Sequence, residues 1–392
     1  MAVPFAETRV TYLAQALFFI SVAFALYTIA GYPALLALWA RFRSRSVHRK
    51  FTPVAVTILL PVRNGERWLR AKLESLFALD YPRELVEILV ISDGSTDGTE
   101  ELAVEYASAG KIDLLCVPRN GKAAALNAGI ERAGGEILFF TDVRQALAPD
   151  CLRNLVTCFG DPSVGAVSGE LVIRDGETLE ELSVGLYWKY EKWLRKCESR
   201  IDSVMGASGC IYAMRRTLAV PLPAETLVDD MFLPLAAFFR GYRVILDDTA
   251  KAFDYPTGLD AEFRRKVRTL AGVYQILGLY PELLTRNRML LAFLSHKLAR
   301  LLLPFALLAA AATTPVLEEP WRTVAFGAQA LFYGLALADW CLPQRFAGKR
   351  VTSPLRSIVV LLAAAFCAAF VWLRPPANLW KETQVRSARS LP

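Results

Sequence analysis

The sequence predicts an α/β domain with a mostly parallel, Rossmann-like sheet, joined to transmembrane α-helices. Three observations predict this. Strand and helix patterns alternate between Phe51 and Tyr280, which implies a parallel sheet with helices on both faces. Four runs outside that block carry no charge for sixteen residues or more. Hydrophobic residues reach 54% with a mean hydropathy of +0.32, yet 21% of residues are charged. That balance excludes a disordered chain, an average soluble enzyme and a bare membrane bundle.

The first element is the run Thr11–Ala40, thirty residues without a charge. As a helix it exceeds the roughly 30 Å hydrocarbon core. It reads as one tilted span, broken or ended near Gly31–Tyr32–Pro33. Its length and Glu7 argue against a signal peptide. Arg41, Arg43, Arg45, Arg49 and Lys50 follow with no acid among them, which marks a cytoplasmic side and closes a first unit at residues 1–50. The N-terminus is then expected outside and the next block inside.

Within residues 51–280, Val54–Leu60 is a β-rich run ended by Pro61. Trp68–Leu79 has helical spacing, with Leu69, Leu73, Leu76 and Phe77 on one face. Val86–Ile91 is the next strand. Asp97 and Glu100 have capping-box spacing ahead of a helix Glu100–Ser108. Leu114–Val117, Lys122–Ala133 and Ile137–Phe140 continue the alternation. Residues 281–300 mix Arg286, Arg288, His296, Lys297 and Arg300 with apolar positions, as an interfacial amphipathic helix would. Residues 301–375 hold the uncharged runs Leu301–Leu317, Thr323–Ala338 and Ser357–Leu373, about three spans. The loop with Arg345, Lys349, Arg350 and Arg356 reads as cytoplasmic. Three spans put the C-terminus outside, whereas the basic tail 376–392 argues for inside. Either one run does not span or the tail breaks the tendency.

Cysteine and histidine content removes further classes. The seven cysteines include no Cys-x-x-Cys pair, so neither a zinc site nor a disulfide framework is indicated. With only His48 and His296, a histidine metal site or a Ser–His–Asp triad cannot be assembled. The net charge of +7 does not point to nucleic acid either. Arg41, Arg43, Arg45, Arg49 and Lys50, with Arg264, Arg265, Lys266 and Arg268, outnumber the whole excess, and no nucleic-acid-binding motif accompanies them.

In a parallel sheet, ligands bind at the carboxyl ends of the strands. Here those ends read Pro61-Val62-Arg63-Asn64-Gly65-Glu66, then Ser92-Asp93-Gly94-Ser95-Thr96-Asp97, then Thr141-Asp142-Val143-Arg144. Each puts an acidic or polar group on one edge. Lys122 opens a helix in Asn120-Gly121-Lys122-Ala123-Ala124-Ala125-Leu126-Asn127, where an ammonium beside a helix N-terminus suits a phosphate.

These motifs, in this order, resemble family 2 glycosyltransferases, specifically the membrane-bound synthases related to cellulose, hyaluronan and poly-N-acetylglucosamine synthases. The resemblance covers roughly residues 52–275 and implies the nucleotide-sugar-binding GT-A fold. It implies that Pro61, Arg63, Asn64, Glu66, Asp93 and Gly94 line the donor, with Asp93 on uridine and Lys122 near the nucleotide. Asp142 takes the first position of the family's Asp-x-Asp, which holds Mg²⁺ or Mn²⁺ on the diphosphate. Arg144 replaces the second Asp and would neutralise phosphate or point away. Leu227-Val228-Asp229-Asp230 resembles the Thr-Glu-Asp motif, with Asp230 as general base and Asp229 as the preceding acid. An acceptor hydroxyl needs such a carboxylate to take its proton. Met205-Gly206-Ala207-Ser208-Gly209 resembles the acceptor loop, which makes Gly206, Ser208 and Gly209 acceptor residues. Trp188 could stack on a sugar. Arg268 matches the Arg of Gln-x-x-Arg-Trp, where it stabilises the departing diphosphate, while Arg265 replaces the Gln and Thr269 the Trp.

The expected activity is membrane-bound, inverting transfer from a UDP-sugar to a hydroxyl. The catalytic domain would be cytoplasmic, at a bacterial-type plasma membrane, with the lipid bilayer and accessory envelope subunits as partners. The flanking helices favour a growing polysaccharide as acceptor. The missing Gln and Trp favour single transfer to a lipid-linked acceptor. A non-catalytic nucleotide-sugar-binding subunit is the third reading.

Overall fold

In the computed structural model, the backbone is described for residues 5–173, 179–255, 258–343, 346 and 348–371, and side chains within these from residue 11 onward, apart from those up to 187 in the helix that begins at 179. The basic tail 376–392 and the end of the last uncharged run lie outside the described residues, as does Arg345.

The chain begins with α1 (Phe5–Leu26) and α2 (Tyr32–Phe42). These are one continuous helical run, not two. Tyr27–Gly31 is a π-turn, placed just before Pro33, which has no N–H to donate. The helix absorbs the missing donor by widening its hydrogen-bond register. The domain follows as β1 (Val56–Val62), α3 (Glu66–Phe77), β2 (Val86–Asp93), α4 (Thr99–Ser108), β3 (Asp113–Val117), α5 (Lys122–Arg132), β4 (Ile137–Phe140), β5 (Ala146–Leu147), α6 (Cys151–Cys158), β6 (Val164–Ile173), α7 (Leu179–Ile201), β7 (Tyr212–Arg215), α8 (Asp229–Phe239), β8 (Arg243–Asp254) and α9 (Leu259–Leu279). The chain then continues through α10 (Glu282–Thr285), α11 (Leu290–Ala292), α12 (Ala299–Thr313), α13 (Trp321–Cys341) and α14 (Lys349–Ala368).

The sheet has eight strands in the order β3-β2-β1-β4-β7-β6-β8-β5. The half formed by β3, β2, β1 and β4 is parallel. The second half is mixed, with β7 antiparallel to both β4 and β6. Successive strand residues feed opposite cores. Leu59, Leu89, Leu138 and Phe140 enter one, while Ile58, Leu60, Val90 and Phe139 enter the other. Burial on both faces explains why these strands read as unbroken apolar runs. The first core also takes in Tyr32 and Leu36 of α2, together with Phe293 and Leu301 further along. The domain is therefore packed directly onto its apolar helices.

Four helical stretches are long and apolar enough to cross a membrane: Thr11–Phe42, Leu290–Val316, Trp321–Cys341 and Lys349–Ala368. The interfacial helix expected at 281–300 is not one element. Residues 282–285 form a short helix, and from Leu290 the chain is already in the second apolar stretch. Some of its polar groups turn inward. His296 Nδ1 lies 2.6 Å from Glu198 and its Nε2 3.2 Å from Glu191, and Arg300 also pairs with Glu191.

The basic cluster after α2 is also partly consumed by the domain. Arg49 pairs with the fully buried Asp247 at 2.8 Å, and Arg45 with Asp202 at 3.4 Å. Arg243, 1% exposed, donates to the carbonyls of Arg45, Ser46, Ser199 and Asp202. That guanidinium staples the linker to the domain. The capping box also fails. Asp97 accepts from Thr99 N–H, but Glu100 accepts from the Ser92 hydroxyl at 2.6 Å, and Glu66 takes the Gly98 N–H.

Candidate active site

The donor edge is built from three strand ends and the turn before α5. Asn64 sits at φ 49°, tolerable for asparagine, and its Oδ1 accepts from Thr96 N–H at 2.8 Å. Pro61 is the penultimate residue of β1, Glu66 caps the neighbouring loop, and Arg63 is exposed at the rim. Asp93 is 5% exposed and accepts from Asn120 N–H at 2.8 Å and Gly121 N–H at 3.1 Å. Gly121 has φ +86°, a conformation glycine adopts freely, and it swings the chain into α5. Gly94, at φ +57°, lies against Arg119 with no room for a side chain.

Lys122 is the hub. Its ammonium lies 3.0 Å from Asp142 Oδ1 and 3.1 Å from Asp229 Oδ1. Burial opposes its charge, but Asp142, Asp229 and Asp230 together hold it well above the ordinary lysine range. Asp230 is next to Asp229 at the start of α8. Burial, then repulsion from Asp229, pushes its carboxyl up to about 6, against the pull of Lys122 and Arg268. The acceptor loop wraps the same residue. Ala207 N–H donates to Asp230 O at 2.6 Å, and a side chain on Gly209 would come within 3.1 Å of Asp230 Oδ2. The Lys122–Asp142–Asp229 cluster and the 205–209 loop, read separately in sequence, therefore meet at Asp230.

Helix α9, packed against α14, closes one side of the site. Gly272 packs so tightly on Val228 that a Cβ would approach to 2.6 Å, and Leu227 N–H donates to Gln275. Docked this way, α9 places Arg268 in the field of Asp142, Asp230 and Asp229. Arg265 pairs instead with the fully buried Glu262 at 2.5 Å and lies over the Trp188 ring, as does Lys266.

Arg144 is engaged by the protein itself. Its guanidinium makes a bidentate pair with Asp254, at 3.1 and 2.6 Å, which Gln145 joins at 2.9 Å. The fork geometry matches a carboxylate, and β8 supplies one that is 1% exposed. Arg144→Met is expected to lower stability by roughly 3 kcal/mol, since it leaves that carboxylate without its main partner. The check is thermal unfolding beside donor KM. A raised KM at unchanged melting temperature would instead put Arg144 on the phosphate.

Several residues that shape the site carry no motif. Arg195 donates to Ser208 Oγ, Ser168 Oγ and Gly206 O, all within 3.2 Å, and so fixes the acceptor loop. Its only sequence signal is an arginine on the inward face of a helix. Asn127 exchanges two 2.8 Å hydrogen bonds with Leu222, tying α5 to the segment that leads into α8. Lys72 is fully buried, and burial pushes its ammonium down to about 8. Two buried oxygens of the site, Asp229 Oδ2 and the Tyr212 hydroxyl, have no hydrogen-bond partner among the described residues.

Among the described residues, no three His, Cys, Asp or Glu side chains converge as a metal-ligand group. Asp142 still suits a divalent ion. Its side chain is 38% exposed, and only Oδ1 is engaged among the described residues. A hard cation there would draw its other ligands from a bound diphosphate and water.

Comparison with known proteins bears on the domain and its fold. Residues 57–219 match the family described as Glycosyl transferase family 2. The poly-β-1,6-N-acetyl-D-glucosamine synthase of Staphylococcus aureus is 25% identical over 229 residues, covering 57% of this chain and 55% of that protein. An N-acetylglucosaminyltransferase of Azorhizobium caulinodans is 29% identical over 238 residues, covering 56% and 60%. The chain thus spans little more than half the length of these relatives. A mannosyltransferase of Pyrobaculum calidifontis, solved with GDP-mannose and Mn²⁺, superposes with a TM-score of 0.70 over 90% of this chain and 97% of that one, at 24% identity. That likeness extends beyond the sheet into the apolar helices and establishes a shared fold. Residues 57–219 therefore match the family 2 glycosyltransferases, on a domain of the GT-A fold flanked by helices apolar enough to cross a membrane.

Proposed function

We propose that this protein is a membrane-bound inverting glycosyltransferase that moves a sugar from a nucleotide sugar, a UDP-sugar, to an acceptor hydroxyl. One observation carries the reading. The half-buried Asp230 carboxylate lies between the Lys122–Asp142–Asp229 cluster and the acceptor loop. A carboxyl group titrating near 6 is ionised at neutral pH and basic enough to take a proton.

The steps follow from the residues. Asp93, with the Asn64–Glu66 turn, borders the nucleotide. Lys122 and Arg268 supply positive charge where diphosphate charge grows. Asp142 would hold a divalent ion, Mg²⁺ or Mn²⁺, which would screen the diphosphate when bound. The acceptor hydroxyl gives its proton to Asp230. Its oxygen attacks the anomeric carbon as the bond to the diphosphate oxygen breaks, so the configuration inverts and the nucleoside diphosphate leaves. Asp229, already paired with Lys122, keeps Asp230 from sharing that ammonium fully.

The relatives named as N-acetylglucosamine polymer synthases support a growing polysaccharide as acceptor. Single transfer to a lipid-linked acceptor is favoured by Thr269, whose hydroxyl bonds back to Arg265 O at 2.9 Å and offers no ring to hold a chain end. The basic stretch 41–50 supports a cytoplasmic catalytic domain, and accessory envelope subunits remain consistent partners.

The test measures nucleoside-diphosphate release across UDP- and GDP-sugars in nanodiscs, with and without chelator, and sizes the product from a radiolabelled donor. UDP release abolished by chelator is expected. Release from GDP-sugars alone would move the donor assignment, and chelator-resistant turnover would remove the metal.

A further inference from the structure

We propose that Lys72 is a positioning residue that locks the donor edge to the acceptor loop. It sits on the buried face of α3 with Leu69, Leu73 and Leu76, where an apolar side chain of equal length would fill the core without desolvating a charge. It is 1% exposed and pairs with no carboxylate among the described residues. Its ammonium donates to Thr141 Oγ1 at 2.6 Å and Gln145 O at 2.7 Å. Thr141 Oγ1 in turn lies 2.8 Å from Cys210 O.

The direction of this chain is fixed by chemistry. An ammonium only donates, so the Thr141 hydroxyl accepts from it and must aim its own hydrogen at Cys210 O. Thr141 precedes Asp142, and Cys210 follows the acceptor-loop residue Gly209. The β4–β7 ladder ends one step earlier, at Phe140 opposite Tyr212. The lysine–threonine relay thus extends the junction beyond the last ladder pair, to the point where the two substrates would meet. Through Gln145 O it also holds the turn whose Gln145 and Arg144 side chains clamp Asp254. Loss of the relay would let the two edges drift, which costs reaction geometry more than binding.

This inference rests on the donor and acceptor assignments above, and its test separates the two. Transfer and donor hydrolysis by water are measured for Lys72→Met and Thr141→Val, with nucleotide affinity by calorimetry. Transfer should fall about tenfold relative to hydrolysis, with affinity within about threefold, and Thr141→Ser should restore the ratio. A fold defect would instead lower both reactions together, and that result overturns the proposal. Hydrogen exchange is read in parallel and needs no turnover. Faster exchange at residues 205–211 and 141–146 in Lys72→Met, with α4 unchanged, supports the relay. Unchanged exchange at 205–211 in both variants overturns it, whatever the donor proves to be.

Discussion

Asp230→Asn is expected to lower sugar transfer by roughly 10²–10⁴-fold, the range for loss of a general base, while nucleotide affinity stays within about threefold. The asparagine keeps the size of the side chain and its place against Gly209, so the acceptor loop has no reason to move. What disappears is the ability to accept a proton. The pH profile gives an independent check. With the carboxyl pushed up to about 6 by burial and by Asp229, the wild-type rate should fall about tenfold per unit below that value, because the protonated form is no base. Above it the rate should level off. In Asp230→Asn the residual rate should show no such limb. Wild-type transfer in the variant would assign the base elsewhere.

Lys122→Met is expected to have the next largest effect, through two routes. It removes the positive partner that Asp142 and Asp229 share at 3.0 and 3.1 Å, and with it a charge beside the diphosphate. At about 1.5–3 kcal/mol for a hydrogen bond to a charged group, kcat/KM should fall roughly 10- to 150-fold. The second route is electrostatic. Lys122 is one of two cations that pull the Asp230 carboxyl down. Without it the carboxyl rises further, and the acid limb of the profile moves to higher pH. A fall in kcat/KM with the limb unmoved would mean that Lys122 serves the donor alone. Lys122→Arg should recover part of the loss but not the geometry, since a planar fork cannot sit between two acids as a point charge does.

Both predictions concern residues that the sequence located but could not connect. The parallel half of the sheet was legible because its strands are short apolar runs and its helices keep a 3.6-residue period. Strand Ile137–Phe140 matches to the residue, and the other early elements differ by a few at their ends. The order of Asp93, Lys122, Asp142, Asp229 and Asp230 carried the family, because ligand-binding groups collect at strand ends that periodicity marks. The four apolar stretches were legible for the same local reason.

What the sequence alone determined, then, is the α/β class, the apolar helices and the identity of the acids and cations at the site. The tertiary structure decided their partners. It turned Arg144 onto Asp254, 110 residues away, closed Lys122 between two acids, laid Arg265 over the Trp188 ring, folded the acceptor loop around Asp230 and drew residues 290–300 into the second apolar stretch. The physical reason is range. Periodicity and capping act over a few residues, and a sequence reports them directly. Ion pairs, orphaned oxygens and raised carboxyls depend on which distant strands become neighbours and on how much water the packing removes. In this chain that choice rests with the antiparallel insertion of β7 between β4 and β6, which brings donor edge and acceptor loop to the same carboxylate.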